Sequence, residues 1–185
     1  MSTLQFYFLF PAFFMLHELE EIIWMPSFVK KISLQIPYKQ IFTFYTPFAF
    51  NAIVMEQLLL LMITLYLSYQ FNNYTIYTTI VIAYIYHVFG HLIQTIVVRK
   101  YVPGLLTGIF TSLFSLYFLK NKIPIRLYGY SFITLALIFI NLGLSFVVLS
   151  KMSRRPWYII LISKISFWKE TVCSSPCFLA LLQPS

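Results

Sequence analysis

Long apolar runs separated by short polar stretches dominate this chain. They predict five helical spans, at about residues 4–25, 46–70, 74–98, 102–119 and 127–149. An α-helix needs roughly 20 apolar residues to cross a bilayer, and each run is compatible with that length. Strands of a membrane β-barrel would be shorter and would alternate apolar with polar residues. The pattern therefore predicts an all-α fold, a polytopic bundle of about five transmembrane helices.

The composition indicates the same class of protein. Sixty per cent of the 185 residues are hydrophobic and only 10% are charged, and the mean hydropathy is +0.82. A soluble domain carries roughly 25% charged residues, so this stock could not build a water-facing surface. We therefore expect an integral, multi-pass membrane protein whose main partner is the lipid bilayer.

The net charge of +8 comes from 13 Lys and Arg residues that are scattered over the predicted loops. Because they form neither a helical stripe nor a dense cluster, nucleic acid is not an expected partner. The positive-inside rule instead predicts an outside N-terminus and a cytoplasmic first loop, third loop and tail, with the plasma membrane as the expected location. Only the fourth loop, which holds Lys120, Lys122 and Arg126, runs against this orientation.

The last part of the chain, residues 151–185, contains no recognised domain and is expected to be a cytoplasmic or interfacial tail. The stretch from Trp157 to Trp168 is apolar and aromatic, which suits the membrane interface. Cys173 and Cys177 lie far from the polar residues of the spans and predict neither a disulfide framework nor, alone, a zinc site. The transmembrane domain is therefore expected to cover residues 4–150.

Nearly all acidic residues and all histidines lie inside the predicted spans. These are the acids Glu18, Glu20, Glu21 and Glu56, and the histidines His17, His87 and His91. Insertion of a charged residue at the bilayer centre costs roughly 2.5–3.5 kcal/mol, so four lipid-facing carboxylates would cost about 10 kcal/mol. Such groups normally face a protein interior and mark a functional site.

The spacing of these residues places them on shared helix faces. At about 100° per residue, Glu20 lies about 60° to one side of His17 and Glu21 about 40° to the other, with Glu18 on the flank. His87 and His91 are four residues apart and stack on one face of the third span.

Depth in the membrane brings these faces to one level. His17 and His87 each lie about 13 residues, or roughly 20 Å, into their predicted spans. Glu56 lies in the middle zone of the second span, which runs the other way. Three helices are therefore expected to direct imidazoles and carboxylates at one buried point in the cytoplasmic half.

Imidazole and carboxylate together suit Zn, Fe or Mn, whereas Ca and Mg favour oxygen ligands alone. The expected ligands are His17, Glu20, Glu21, His87 and His91. A further glutamate, Glu18 or Glu56, would be the catalytic general base beside a metal-bound water. The leading hypothesis is thus a metal-dependent enzyme, hydrolytic or oxidative, that acts on a lipid-like, membrane-borne substrate.

Other interpretations remain open at this stage. His87 and His91 have the spacing of a zinc protease motif, but Val88 stands where its glutamate would be, and imidazoles also serve helix packing. Glu56 would then bond a neighbouring helix, and Glu20 and Glu21 would be hydrated near the interface. Buried Glu and His chains also relay protons, which favours a proton- or ion-coupled transporter. A third alternative is a small assembly subunit with polar packing only.

The residues of the first span resemble the HXXEE domain family, with His17 as the histidine and Glu20 and Glu21 as the paired acids. The later features also resemble that family: Glu56, then His87 and His91, then the stretch from Arg99 to Gly104. The resemblance covers roughly residues 4–150. It implies a multi-spanning membrane protein and supplies no reaction, since the family's biochemical function is not established. Pro103 and Gly104 also predict a tight turn that starts the fourth helix.

Overall fold

Five α-helices make up most of the computed structural model, which describes residues 1–33, 45–120 and 124–153. The helices are α1 (Thr3–Ser33), α2 (Pro47–Gln70), α3 (Thr75–Val98), α4 (Leu105–Leu119) and α5 (Ile125–Ser153). No strand occurs within the described ranges, so the predicted all-α fold is confirmed. The expectations for the tail beyond residue 153, for residues 34–44 of the first loop and for Lys122 in the fourth lie outside the described residues.

The helix boundaries follow the apolar runs closely, with one exception. α2 and α3 begin within one residue of their predicted starts and end where predicted. α1 continues through Pro26 to Ser33, well past the predicted end near residue 25. Glu18, Glu20 and Glu21 all lie within the helix, and Glu18 and Glu21 are buried.

Two helix starts have clear local causes. The Thr46 side chain accepts a hydrogen bond from the Ala49 N–H, and Pro47 occupies the first turn of α2, where its missing N–H costs nothing. α4 begins directly after Pro103 and Gly104, as the turn prediction required. Gly104 has a φ of 88°, a left-handed conformation that favours glycine.

The outside of the bundle is apolar. α2, α3 and residues 125–149 of α5 are long and apolar enough to cross a membrane. On α5, Ile133, Leu137, Ile140 and Leu144 form an exposed stripe at helical spacing. A stripe of this kind would be unfavourable in water and suits contact with lipid chains.

The helices form a ring in which α3 and α5 run parallel to each other. α1 packs between α2 and α4, α3 packs between α4 and α5, and α5 returns to α2. Ring contacts of Phe6 with Phe118 and of Phe13 with Phe114 show that α1 and α4 are antiparallel. Inside the ring, the first half of α1 packs against α2, α3 and α4 through an aromatic-rich core. Its buried members include Phe6, Tyr7, Phe10, Leu61, Leu65, Tyr77, Val81, Tyr84 and Leu119.

Candidate metal centre

Beyond the aromatic core, α1 contributes one imidazole and one carboxylate to the bundle interior. His17 is fully buried and Glu21 is 5% exposed. The two residues are one helical turn apart, and their Nε2 and Oε1 atoms are 3.5 Å apart. The sequence spacing therefore translates into a shared buried face, as predicted.

α3 brings two imidazoles to the same point. The Nε2 atoms of His87 and His91 are 2.9 Å apart, and His91 Nε2 lies 2.9 Å from Glu21 Oε1. One ligand atom from each of His17, Glu21, His87 and His91 can be chosen so that all lie within 4.8 Å of one another. We refer to these four residues as the His/Glu cluster.

Hydrogen bonding to α4 settles the tautomer of His17. Its Nδ1 lies 2.9 Å from the carbonyl oxygen of Gly104. A carbonyl can only accept, so Nδ1 carries the proton and donates it. The lone pair is then on Nε2, which faces the His/Glu cluster. Metal-binding histidines are commonly oriented in this way by a backbone carbonyl.

Two glycines of α4 allow this close approach. A Cβ on Gly104 would lie 2.6 Å from Glu21 Oε1 and 2.8 Å from His17 Cε1. A Cβ on Gly108 would lie 2.9 Å from a Val88 methyl and 3.0 Å from His17 Nδ1. The spacing of these glycines is the one that lets membrane helices pack backbone to backbone. The Gly104–Gly108 pair was not recognised as part of the site from sequence, although its spacing was a usable signal.

Glu20 lies outside the His/Glu cluster and binds the start of α4. Its carboxylate accepts hydrogen bonds from the N–H groups of Gly104 and Thr107, both at 2.9 Å, and from the Thr107 hydroxyl at 2.6 Å. The Tyr101 hydroxyl is a further donor. An anion at a helix N-terminus satisfies free N–H groups and complements the helix dipole. Sequence reasoning missed Tyr101 and Thr107, because no local pattern pairs them with α1.

Tyr101, in the connection between α3 and α4, is a suitable hydrogen-bond donor for the Glu20 carboxylate. Partial burial, and then the adjacent carboxylate of Glu20, raise the pKa of the Tyr101 phenol. The phenol is therefore protonated at neutral pH and available as a donor. It also accepts a hydrogen bond from the Leu106 N–H at 3.3 Å, which ties the turn to the first residues of α4.

Glu18 is buried on the flank of α1, where it faces a cavity. The cavity has a volume of about 450 Å³, lies between α1, α2, α3 and α5, and is lined mostly by apolar side chains. Glu18, Glu21 and His87 contribute to its wall, and so does Tyr84, whose hydroxyl lies 2.7 Å from Thr111 Oγ1. We call this space the lateral cavity. The lateral cavity borders the His/Glu cluster and is large enough to hold a small molecule.

Glu56 is not brought to the His/Glu cluster. Its carboxylate accepts hydrogen bonds from Asn141 Nδ2 at 3.1 Å and from Ser145 Oγ at 2.8 Å, both on α5. The next residue on α2, Gln57, lines the lateral cavity instead. Consecutive residues point about 100° apart on a helix, so the Glu56 carboxylate lies against α5 while Gln57 lies against the cavity. The expected convergence of three helices is thus observed for α1 and α3, whereas Glu56 of α2 bonds α5.

The geometry of the His/Glu cluster suits a single metal ion. Two ligand atoms about 2.1 Å from one ion are about 3.0 Å apart at a right angle and about 3.4 Å apart at a tetrahedral angle. The close contacts of the cluster, 2.9, 2.9 and 3.5 Å, lie within about 0.1 Å of this range. Within the described residues, His17 Nε2 is buried without a hydrogen-bond partner. Buried polar atoms are rarely left in this state, and a cation shared with Glu21 and the other imidazoles would satisfy this one.

Comparison with known proteins agrees with the motif in α1. A family model described as a protein of unknown function with HXXEE motif matches residues 8–119. The matched segment includes the whole His/Glu cluster, Glu20 and the two glycines of α4. No curated protein and no solved structure matches the chain. Because the match extends over more than half of the 185 residues, this chain belongs to the family of proteins that carry the HXXEE motif.

Proposed function

We propose that the protein is a metal-dependent membrane enzyme whose His/Glu cluster binds one Zn, Fe or Mn ion. The observation that carries this proposal is the convergence of three imidazoles and one carboxylate, all within 4.8 Å, in the bundle interior. The orientation of His17 by the Gly104 carbonyl supports it, because the free lone pair is then directed at the other three groups.

The donor set favours transition metals over Ca and Mg, which take oxygen ligands. One carboxylate against a divalent ion leaves a net positive centre, which would stabilise a bound hydroxide or a substrate oxyanion. Six-coordinate Fe or Mn would keep two positions for water and substrate. Zinc is usually four-coordinate, so a catalytic zinc would require one of the four protein ligands to leave.

A hydrolytic reaction needs only a metal, a water molecule and a base, whereas an oxidative one also needs an oxidant such as O₂. We assign the base to Glu18, because it faces the lateral cavity next to Glu21. The metal would lower the pKa of its bound water, and Glu18 would accept the proton as the water attacks. The cavity is enclosed by helices with lipid-facing surfaces, which supports a membrane-borne substrate.

We retain the five-span topology and the orientation with an outside N-terminus as part of this proposal, with the plasma membrane as location. They are supported by the placement of Lys30 and Lys31 at the end of α1 and of Arg99 and Lys100 after α3. In this orientation the His/Glu cluster would lie in the cytoplasmic half. Glu56 would hold α2 against α5 and take no part in proton transfer.

The direct test is elemental analysis of purified protein, before and after chelation and reloading with Zn, Fe or Mn. Wild type should bind about one ion per chain, and His17→Ala and His91→Ala should lose it. Glu56→Gln is the matched control, since it alters a half-buried acid outside the cluster. Helical content by circular dichroism and a monodisperse elution profile would show that each variant is folded. Wild-type protein that contains none of these metals and takes up none would refute the proposal.

The role of Glu18 has its own test once a substrate is found. Glu18→Gln should retain the metal and lose most of the turnover, because removal of a general base typically costs about 10²–10⁴-fold. Turnover that survives this substitution would move the base to another group.

A proton- or ion-coupled transporter is the second candidate. The same four groups form a continuous chain of contacts, 2.9 to 3.5 Å long, which would relay protons in a metal-free protein. Against it, the first half of α1 is packed into the aromatic core around Phe6, Phe10 and Tyr77, whose buried members include no acid or imidazole to continue a relay. Proton flux in proteoliposomes that persists without metal and is lost in Glu21→Gln would favour the transporter. If the protein were an assembly subunit, it would bind no metal. Substitutions in the His/Glu cluster would then impair only its association with a partner protein.

A further inference from the structure

The lateral cavity is long and narrow. Its lining runs along α2 from Phe50 to Thr64, about 21 Å, and along α5 from Thr134 to Phe146, about 18 Å. The His87 ring lies 6.3 Å from the Phe139 ring, between the two ends. The polar groups of the His/Glu cluster therefore lie along one wall, part of the way down an apolar channel.

The lateral cavity also reaches the outer surface of the bundle. Three of its lining side chains are exposed on that surface: Leu60 of α2 is 46% exposed, and Leu137 and Phe139 of α5 are 61% and 54% exposed. α2 and α5 are both apolar enough to lie in a membrane, so the medium at this opening is hydrocarbon. A lipid chain could enter sideways without crossing water.

We propose that the lateral cavity binds a single long hydrocarbon chain of a membrane lipid, with an oxygen-containing group of that lipid turned toward His87 and Glu18. A cavity whose wall is mostly apolar favours an apolar occupant, and an empty one forfeits the dispersion contacts of its lining. A hydrocarbon chain supplies those contacts and matches the length of the space. The claim that the bound lipid is the substrate rests on the proposed function. The claim that a lipid chain fills the cavity does not.

Photo-crosslinking would test the occupant. The protein is reconstituted in lipid nanodiscs with a hexadecanol that carries a diazirine at mid-chain, and the labelled peptides are identified by mass spectrometry. Label should appear on cavity residues such as Val54 and Ile80, and excess unlabelled hexadecanol should suppress it. Label on Ile140 and Leu144, which are exposed on α5 outside the cavity lining, should not be suppressed, because bulk lipid contact is not saturable.

A matched pair of substitutions on α5 sharpens the test. Leu135 lines the cavity, whereas Leu144 is 62% exposed and lies outside its lining. Leu135→Trp should lower the saturable label by about tenfold, because the indole would occupy space that the chain needs; a tenfold loss corresponds to about 1.4 kcal/mol of affinity. Leu144→Trp should leave it unchanged. Leu142→Trp, farther along the cavity, is the second blocking variant if Leu135→Trp does not fold.

Metal content, measured on the same samples, separates this inference from the proposed function. Saturable label that falls in the blocking variants, with metal retained, supports both. Saturable label in a protein that binds no metal supports the lipid site and removes its catalytic role. Label that is not saturable, or that is equal in wild type and in folded blocking variants, overturns the lipid site whatever the metal content.

Discussion

Two glutamates join pairs of helices in this protein, and they do so in different surroundings. Glu20 joins α1 to α4 through two backbone N–H groups and the hydroxyls of Thr107 and Tyr101. Glu56 joins α2 to α5 through the side chains of Asn141 and Ser145. α4 meets α1 where Gly104 and Gly108 touch His17, whereas α5 exposes a long apolar stripe.

The difference shows why an acid in a membrane helix need not be a catalytic or metal-binding group. Both carboxylates are stabilised by donors from a neighbouring helix, so neither needs a metal for that purpose. Only Glu20 is coupled to the His/Glu cluster, because the helix start that it binds also presents the Gly104 carbonyl to His17. The α1–α4 contact therefore orients the site, whereas the α2–α5 contact holds Asn141 in the wall of the lateral cavity.

The largest effect on the site should come from Glu21→Gln. It removes the only carboxylate of the His/Glu cluster and keeps its shape. We expect metal affinity to fall by more than roughly 100-fold, beyond what loss of an outer-shell partner costs. Competition with a chelator would measure it. Metal retention in Glu21→Gln together with metal loss in Glu20→Gln would reverse the roles assigned to these neighbours.

Gly104→Ala should have the next largest effect, on both stability and metal binding. The new Cβ would meet Glu21 and His17 at under 3.0 Å, and a left-handed conformation costs a non-glycine residue about 1–2 kcal/mol. Metal affinity should fall roughly 10- to 100-fold as His17 loses its orientation. Gly143→Ala is the matched control on α5, where a Cβ has open space, and it should slightly raise the melting temperature. Equal behaviour of the two variants would contradict a special role for the α1–α4 contact.

Glu20→Gln should weaken metal binding indirectly. The amide keeps one acceptor oxygen for the start of α4 but replaces the other with a donor that faces the donors of Thr107. We expect about a tenfold loss of metal affinity, as is typical for a group that holds a ligand in place. Thr107→Val should reproduce part of this loss. Unchanged metal affinity in both variants would show that the docking of α4 does not orient His17.

Glu56→Gln should have the smallest effect and should leave metal affinity unchanged. The amide nitrogen would replace one acceptor for α5, and a hydrogen bond between membrane helices is worth about 0.6 kcal/mol on average. Thermal unfolding in detergent should show a small decrease in melting temperature. A large loss of metal from this variant would place Glu56 in the metal site and remove the distinction between the two glutamates.

Most of the fold was predictable because a membrane helix must satisfy its own backbone groups, so long apolar runs have few alternatives. This is why α2 and α3 begin and end close to the predicted residues. The end of α1 was not predictable in this way. Pro26, Lys30 and Lys31 follow the apolar run, yet the helix continues past them to Ser33.

The candidate site was predictable only in part. Helical periodicity brought His17 to the side of Glu21 and His87 to the side of His91, since residues four apart must share a face. It could not separate Glu20 from Glu21, because both lie within about 60° of His17. Their roles depend on which neighbour faces each side, α4 or α3, and helix spacing within α1 carries no such information.

The sequence alone determines the helices, their apolar exterior and the pairs of polar residues that share a face. Each of these features depends on contacts between residues only a few positions apart. The tertiary structure decided which pairs meet, that Glu20 and Glu56 bind α4 and α5, and that a cavity borders the cluster. These features depend on the rotation of each helix against its neighbours. Small residues such as Gly104 and Gly108 set that rotation through packing between distant parts of the chain.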